Sequence, residues 1–235
     1  MLKPITKETA NRLNCLVIGG AGLGKTSLLR TIPEDEKTLV LSCEGGLLAV
    51  RDMIEAGLIE GFEVGSFADL KEAYQMLLTP DFKTRYRWVF LDSLTEVSGK
   101  CLESLKAKYL KSEDTFKMWG EFSDNLTHII KAFRDLTNYS VVMTCLPATQ
   151  LDDLNRRYVG CAISGKQLQE RLPSYFDLVL YMINKENEDG TEHRVFVTSP
   201  SDRYPGKDRS GRLAQIEKPD LGYLRNKILG VGGGI

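Results

Sequence analysis

Residues Gly19-Gly20-Ala21-Gly22-Leu23-Gly24-Lys25-Thr26 fit the pattern G-x-x-x-x-G-K-[ST]. They follow the apolar run Leu13 to Ile18 and open a helical segment, Lys25 to Thr31, that Pro33 terminates. This junction is the strongest constraint in the chain, because a buried strand must feed a helix through a loop tight enough to aim backbone N–H groups inward. Glycines allow that turn without Cβ clashes, and the helix N-terminus adds positive potential. The spacing predicts a phosphate-binding loop from Gly19 to Ser27. In it Lys25 reaches the β and γ phosphates of a nucleotide, and the Thr26 hydroxyl helps to hold Mg²⁺.

The rest of the chain alternates short apolar runs with helical stretches. Strands are expected at Thr38 to Cys43, Arg87 to Leu91, Ser140 to Thr144, Asp177 to Ile183 and His193 to Thr198. Helices are expected at Leu47 to Ala56, Phe67 to Leu78 and Pro219 to Leu229, with two more between Leu94 and Leu136 broken near Lys111 to Asp114. Leu146 to Arg171 has no clear period and reads as a long loop with a short helix near its end. Asp189-Gly190 is a hairpin signal between the last two strands. This order predicts an α/β fold in three layers. A mostly parallel central sheet carries helices on both faces and an antiparallel edge. At 235 residues the chain has room for one sizeable core, and we read it as a single domain.

A second nucleotide signature is the apolar strand that ends in Asp92, a carboxylate placed to hold Mg²⁺. Hydrolysis also needs a group to orient or deprotonate water. Glu44, directly after the second strand, and Glu96, one helical turn past Asp92, both qualify. Glu44 is preferred, because ligands bind at the strand ends of open α/β sheets.

Composition narrows the partners. The net charge of −1 excludes a uniformly basic nucleic-acid coat, though not a local patch. No apolar run approaches the roughly 18 residues a membrane helix needs, and the first 14 residues lack the apolar core of a signal peptide. The five scattered cysteines form no C-x-x-C pair and read as reduced, buried thiols of a cytoplasmic protein.

Together these residues resemble the RecA-like ATPases: the phosphate loop, Glu44 after the next strand, Asp92-Ser93 after a third strand, and a long loop after Thr144. More narrowly the chain is similar to the small ATP-binding single-strand annealing and recombination proteins of bacteriophages. The stretches Cys43-Glu44-Gly45-Gly46-Leu47, Trp119-Gly120-Glu121, Gly165-Lys166, Leu172-Pro173-Ser174-Tyr175-Phe176-Asp177 and Gly206-Lys207-Asp208-Arg209 carry that likeness. The resemblance covers about Asn14 to Leu213. It implies ATP as ligand with Glu44 as the water-activating carboxylate and Thr144 as a sensor of the γ-phosphate. It also implies that Lys207 and Arg209 stabilise phosphate charge on a neighbouring subunit's ATP, and hence a homo-oligomer, ring or filament, with slow, assembly-dependent hydrolysis.

The same resemblance places single-stranded DNA on two segments, Lys106 to Trp119 and Gln150 to Gln169. The second is favoured through Arg156, Arg157, Tyr158 and Lys166, since basic groups interleaved with aromatics suit a phosphate track with base stacking. Trp119 and Phe122 read as core residues of an amphipathic helix. The leading function is an ATP-binding protein that promotes annealing or strand pairing, with a single-strand-binding protein as a further possible partner. Alternatives are a DNA motor of the packaging or helicase kind, a small-molecule kinase, and an ATP-dependent scaffold or loader for another protein.

Overall fold

The computed structural model describes residues 11–110, 114–151, 155, 157–201 and 203–231. A nine-stranded mixed sheet forms its centre. Six strands run parallel: β1 (Asn14–Gly19), β2 (Thr38–Ser42), β3 (Ile59–Glu63), β4 (Trp88–Asp92), β5 (Ser140–Cys145) and β8 (Leu178–Glu186). Strands β9 (Glu192–Val197), β10 (Lys207–Asp208) and β11 (Ile216–Glu217) add the antiparallel edge. The spatial order is β11-β9-β8-β1-β5-β4-β2-β3, with β10 paired to β8. The expected α/β class with a parallel sheet and antiparallel edge is the observed one.

The inner strands β1, β2, β4 and β5 are buried along their whole length because both sheet faces are covered. Leu16 and Ile18 of β1 point into one core, with Leu39, Leu91 and Met143. That side is closed by α2 (Phe67–Leu77), α4 (Leu94–Lys108) and α5 (Thr115–Arg134). Cys15 and Val17 point into the other, with Val40, Trp88 and Phe90. It is closed by the 3₁₀ helix Thr26–Thr31, α1 (Arg51–Glu55) and α7 (Leu221–Leu229). Helix α2 starts with a capping box in which Ser66 and Asp69 satisfy each other's backbone N–H groups.

Several elements differ from the sequence expectation. The segment after the phosphate loop is 3₁₀ rather than α. Edge strand β3 and the short helix α3 (Pro80–Arg85) lie where no element was expected. Strand β3 alternates buried and exposed residues around Gly61, so it lacks the apolar run that reveals the inner strands. The supposed long loop Leu146 to Arg171 folds as an antiparallel hairpin, β6 (Pro147–Leu151) with β7 (Arg157–Cys161), followed by α6 (Lys166–Arg171). The hairpin lies outside the main sheet and is half exposed, which erases its apolar signal. Trp119 corrects another expectation: it is 43% exposed and meets Phe122 edge-on, while Phe122 alone is core.

Helix α7 is fastened by a charged contact at the sheet's N-terminal end. Trp88 of β4 donates its indole N–H to Glu36 Oε2 at 2.6 Å, and Arg225 of α7 pairs with the same oxygen. Burial alone would raise the Glu36 carboxyl, but the hydrogen bonds from Arg225 and Trp88 outweigh it and hold the group below its ordinary value of 4.5. A depressed carboxylate adds stability that is complete above its ordinary value and is lost as pH falls through the lower native value. Glu36→Gln is therefore expected to cost about 1–3 kcal/mol at pH 7, read as a melting shift of about 2–4 °C per kcal/mol. The gap to wild type should close as pH is lowered below 4.5. A gap that persists unchanged at pH 3 would exclude the ionic contribution.

Candidate functional site

Strand β1 ends at Gly19, and the chain turns through Gly22 and Gly24, whose φ values of +75° and +88° lie in the left-handed region that glycine adopts without penalty. A Cβ on Gly22 would meet nothing within 4 Å, so the loop mouth is open there. The Lys25 side chain is buried and donates to the carbonyls of Gly19 and Gly20 at 2.9 and 3.0 Å. Burial lowers its proton affinity, while the nearby carboxylates of Asp92 and Glu44 pull the other way. The ammonium therefore sits in a partly dry place with anions close by, a setting that strengthens its pull on any phosphate oxygen.

Asp92 closes β4 beside the loop. Its Oδ2 accepts from the Thr26 hydroxyl at 2.6 Å, and its Oδ1 accepts from the hydroxyl of Thr144 near the end of β5. Beyond a cis peptide, Ser93 donates its hydroxyl to Glu44 Oε1 at 2.6 Å. Five residues placed together by sequence reasoning thus meet at the C-terminal ends of adjacent strands: Lys25, Thr26, Glu44, Asp92 and Thr144. Glu96 stands close by, near enough to act with Glu44 and Asp92 on the Cys43 thiol. No hydrogen bond ties Glu96 into the network among the described residues, whereas Glu44 is tied to it through Ser93.

The geometry does not bring Lys207 and Arg209 to this loop. Strand β10 pairs with Leu178 and Val179 at the start of β8, level with Cys15 and Leu16 of β1. That is about 10–13 Å back along the strand from Gly19. Lys207 Nζ is held by the carbonyls of Pro173, Ser174 and Phe176, at 2.6 Å for the last. Arg209 pairs with Asp177 at 2.5 Å and helps line a cleft of about 610 Å³ with Arg12, Asn14 and Arg134. Gly206 permits this path, since a side chain there would strike the Ser199 backbone.

Of the expected DNA-contacting residues, Arg156 lies outside the described residues. Arg157 is exposed on β7, and Lys166 is exposed at the start of α6. Tyr158 is half-buried and donates its hydroxyl to Gln150 at 2.5 Å, and Gln150 donates to Gln169 at 2.5 Å. All five cysteines are buried and unpaired by disulfides. Burial pushes the Cys43 thiol up to about 12, so it is no nucleophile at neutral pH.

One residue at the loop carried no sequence signal. A Cβ on Gly24 would overlap the guanidinium of Arg194 and lie 3.2 Å from its Cζ. Arg194 is 170 positions downstream, and only the register of β9 on β8 reveals that it arrives here.

A glycine-lined loop after the first strand of a parallel sheet, with a lysine inside it and a carboxylate on a nearby strand, defines a P-loop nucleotide-binding domain. A family model described as an AAA domain matches residues 11–210. The chain belongs to this family of P-loop ATPase-type domains. No match was found among curated proteins.

The residues fit a magnesium nucleotide. Thr26 and Asp92 offer the hard oxygen ligands that Mg²⁺ takes alongside phosphate oxygens, and Lys25 offers the cation. Among the described residues, no group of three or more His, Cys, Asp or Glu side chains could hold a metal ion. Lys25→Ala is expected to lower ATP affinity about 10- to 100-fold, the loss of a charge-assisted contact. Unchanged affinity in equilibrium titration would overturn the placement of phosphate on this loop.

Proposed function

We propose that the protein binds and slowly hydrolyses Mg-ATP, and that the nucleotide state governs its hold on single-stranded DNA for annealing or strand pairing. One observation carries the reading. The β6–β7 hairpin grows directly from β5, the strand that delivers Thr144 to Asp92, and is tied at its base to helix α4, which starts directly after Asp92-Ser93. The Leu146 N–H donates to the Thr95 hydroxyl at 3.0 Å, and the Ser164 N–H donates to the Ser98 hydroxyl at 2.9 Å. A change at Asp92 therefore has a short, hydrogen-bonded route to the hairpin bearing Arg157. The relay from Tyr158 through Gln150 to Gln169 supports the hairpin against α6, which bears Lys166.

In this mechanism Lys25 neutralises charge on the phosphates, while Thr26 and Asp92 hold the ion. Bound Mg²⁺ supplies charge neutralisation on the phosphate oxygens. Glu44, oriented by Ser93, directs the attacking water and takes its proton. Thr144, on the same carboxylate as Thr26, couples the filling of the site to β5. Lys207 and Arg209 point away from their own loop, so any action on ATP comes from a second copy docked head to tail. That makes hydrolysis depend on assembly.

Glu44→Gln should retain ATP and lose turnover by about 100-fold or more, in the range of general-base removal. Normal turnover in that variant would move the role to Glu96. The DNA reading is tested by fluorescence anisotropy of a labelled single-stranded oligonucleotide, with and without ATP and Mg²⁺. Salt-sensitive binding that ATP strengthens is expected. Replacing Arg157 and Lys166 together by alanine should flatten the salt slope by about 1.4, for two contacts of about 0.7 each. Absence of binding under every nucleotide condition sinks the DNA role and leaves the ATP site standing.

A further inference from the structure

We propose that Arg194 is a nucleotide-binding residue. Its guanidinium meets the phosphates that ATP and ADP share, from the flank of the loop opposite Asp92 and Glu44. The inference rests on the nucleotide reading above and deepens it.

The hairpin of β8 and β9 outruns the sheet at this point. Gly19, the last residue of β1, lies opposite Met182, but β8 continues to Glu186. Arg194 pairs with Asn184, two residues past that level and about 7 Å beyond the end of β1. The two strands thus form a wall beside the phosphate loop. Asp189 and Gly190 turn the wall, with Gly190 at φ +81° and Asp189 Oδ1 accepting from the Thr191 N–H at 2.9 Å.

Alternation along β9 sets the side-chain direction. Phe196 is fully buried in the core that holds Leu28 and Leu29 of the 3₁₀ helix after the loop. Arg194, two residues earlier, shares that face and projects toward the loop itself. Its guanidinium rests against Gly24, and any side chain at position 24 would displace it. Close approach is therefore a second demand on Gly24, besides its positive φ.

The charge of Arg194 is uncompensated. It is exposed, and among the described residues it has no hydrogen bond or ion pair. The nearest acidic residue on its own face, Glu192, accepts from Asn184 Nδ2 at 2.9 Å. Gly24, which the guanidinium meets, directly precedes Lys25, so two basic residues serve one loop. An anion at the mouth supplies the missing partner.

Strand order decides which part of the nucleotide Arg194 meets. In the order β9-β8-β1-β5-β4-β2, Arg194 is two strands to one side of β1. Asp92 on β4 is two strands to the other side, and Glu44 follows β2 beyond it. Hydrolysis needs the ion-holding flank, so Arg194 serves the retained phosphates. It is a binding residue and not a transition-state one.

The test is equilibrium binding of ATP and of ADP, each with Mg²⁺, to wild type, Arg194→Gln and Arg194→Lys, with melting temperature as a fold control. Arg194→Gln should weaken both nucleotides by the same factor, about tenfold. Arg194→Lys should recover part of the loss, and neither variant should change the nucleotide-free melting temperature. Wild-type affinity for both nucleotides in Arg194→Gln would overturn the proposal. A loss confined to ATP would overturn the assignment to the shared phosphates. A wild-type protein that binds neither nucleotide would bring down the underlying reading itself.

Discussion

The Asp92 carboxylate is the joint on which the site depends. It is buried at the end of β4, and its two oxygens are taken by two hydroxyls, Thr26 from the loop and Thr144 from β5. A buried charge persists only when it is hydrogen-bonded or paired, so this carboxylate needs both threonines when nothing else is bound. These oxygens would also be the ones to hold Mg²⁺ in the proposed function. In the proposed function, nucleotide arrival would rearrange the hydroxyl contacts, and one of these belongs to the strand that roots the β6–β7 hairpin.

That arrangement explains why the chemistry was easier to read than its surroundings. The loop, Asp92, Glu44 and Thr144 all sit at ends of inner strands, where continuous apolar runs mark the strand and the first polar residue marks its end. Strands β1, β2, β4, β5 and β8 were legible for that reason. Strand β3 was not, because an edge strand with Gly61 at its middle carries little hydrophobic signal. The β6–β7 hairpin was missed for a related reason. Its side chains pair with each other across two strands outside the main sheet, and Gln150 and Tyr158 meet through hydrogen bonds rather than apolar packing. Arg194 escaped because its position depends on strand register and hairpin length, neither of which a local pattern encodes. Trp119 shows the opposite error: helical spacing put it with Phe122 in the core, yet the buried stripe of the helix starts at Phe122, three residues after it.

Among the described residues, the sheet's polarity separates two groups of cations that matter to the site. Lys25 and Arg194 stand at the C-terminal ends of the strands, beside the phosphate loop. Lys207 and Arg209 stand at the N-terminal ends, where Arg12, Arg134 and Arg225 also gather against Glu36, Asp135 and Asp177. A cation fixed by β10 at the start of β8 cannot swing to its own loop without unpairing that strand. Strand pairing thus keeps Lys207 and Arg209 from the loop of their own protomer.

The same polarity gives a physical reason to expect different behaviour from the two sets. Arg194 has nothing to release when an anion arrives, so its contribution is available to a single chain in dilute solution. Arg209 must give up Asp177, and Lys207 must leave three backbone carbonyls, before either can reach a phosphate. In the proposed assembly, exchanging those contacts costs free energy that a docked second copy would have to offset. Under the proposed function, nucleotide binding would be a property of the monomer and turnover a property of the assembly. The two can be separated by protein concentration alone.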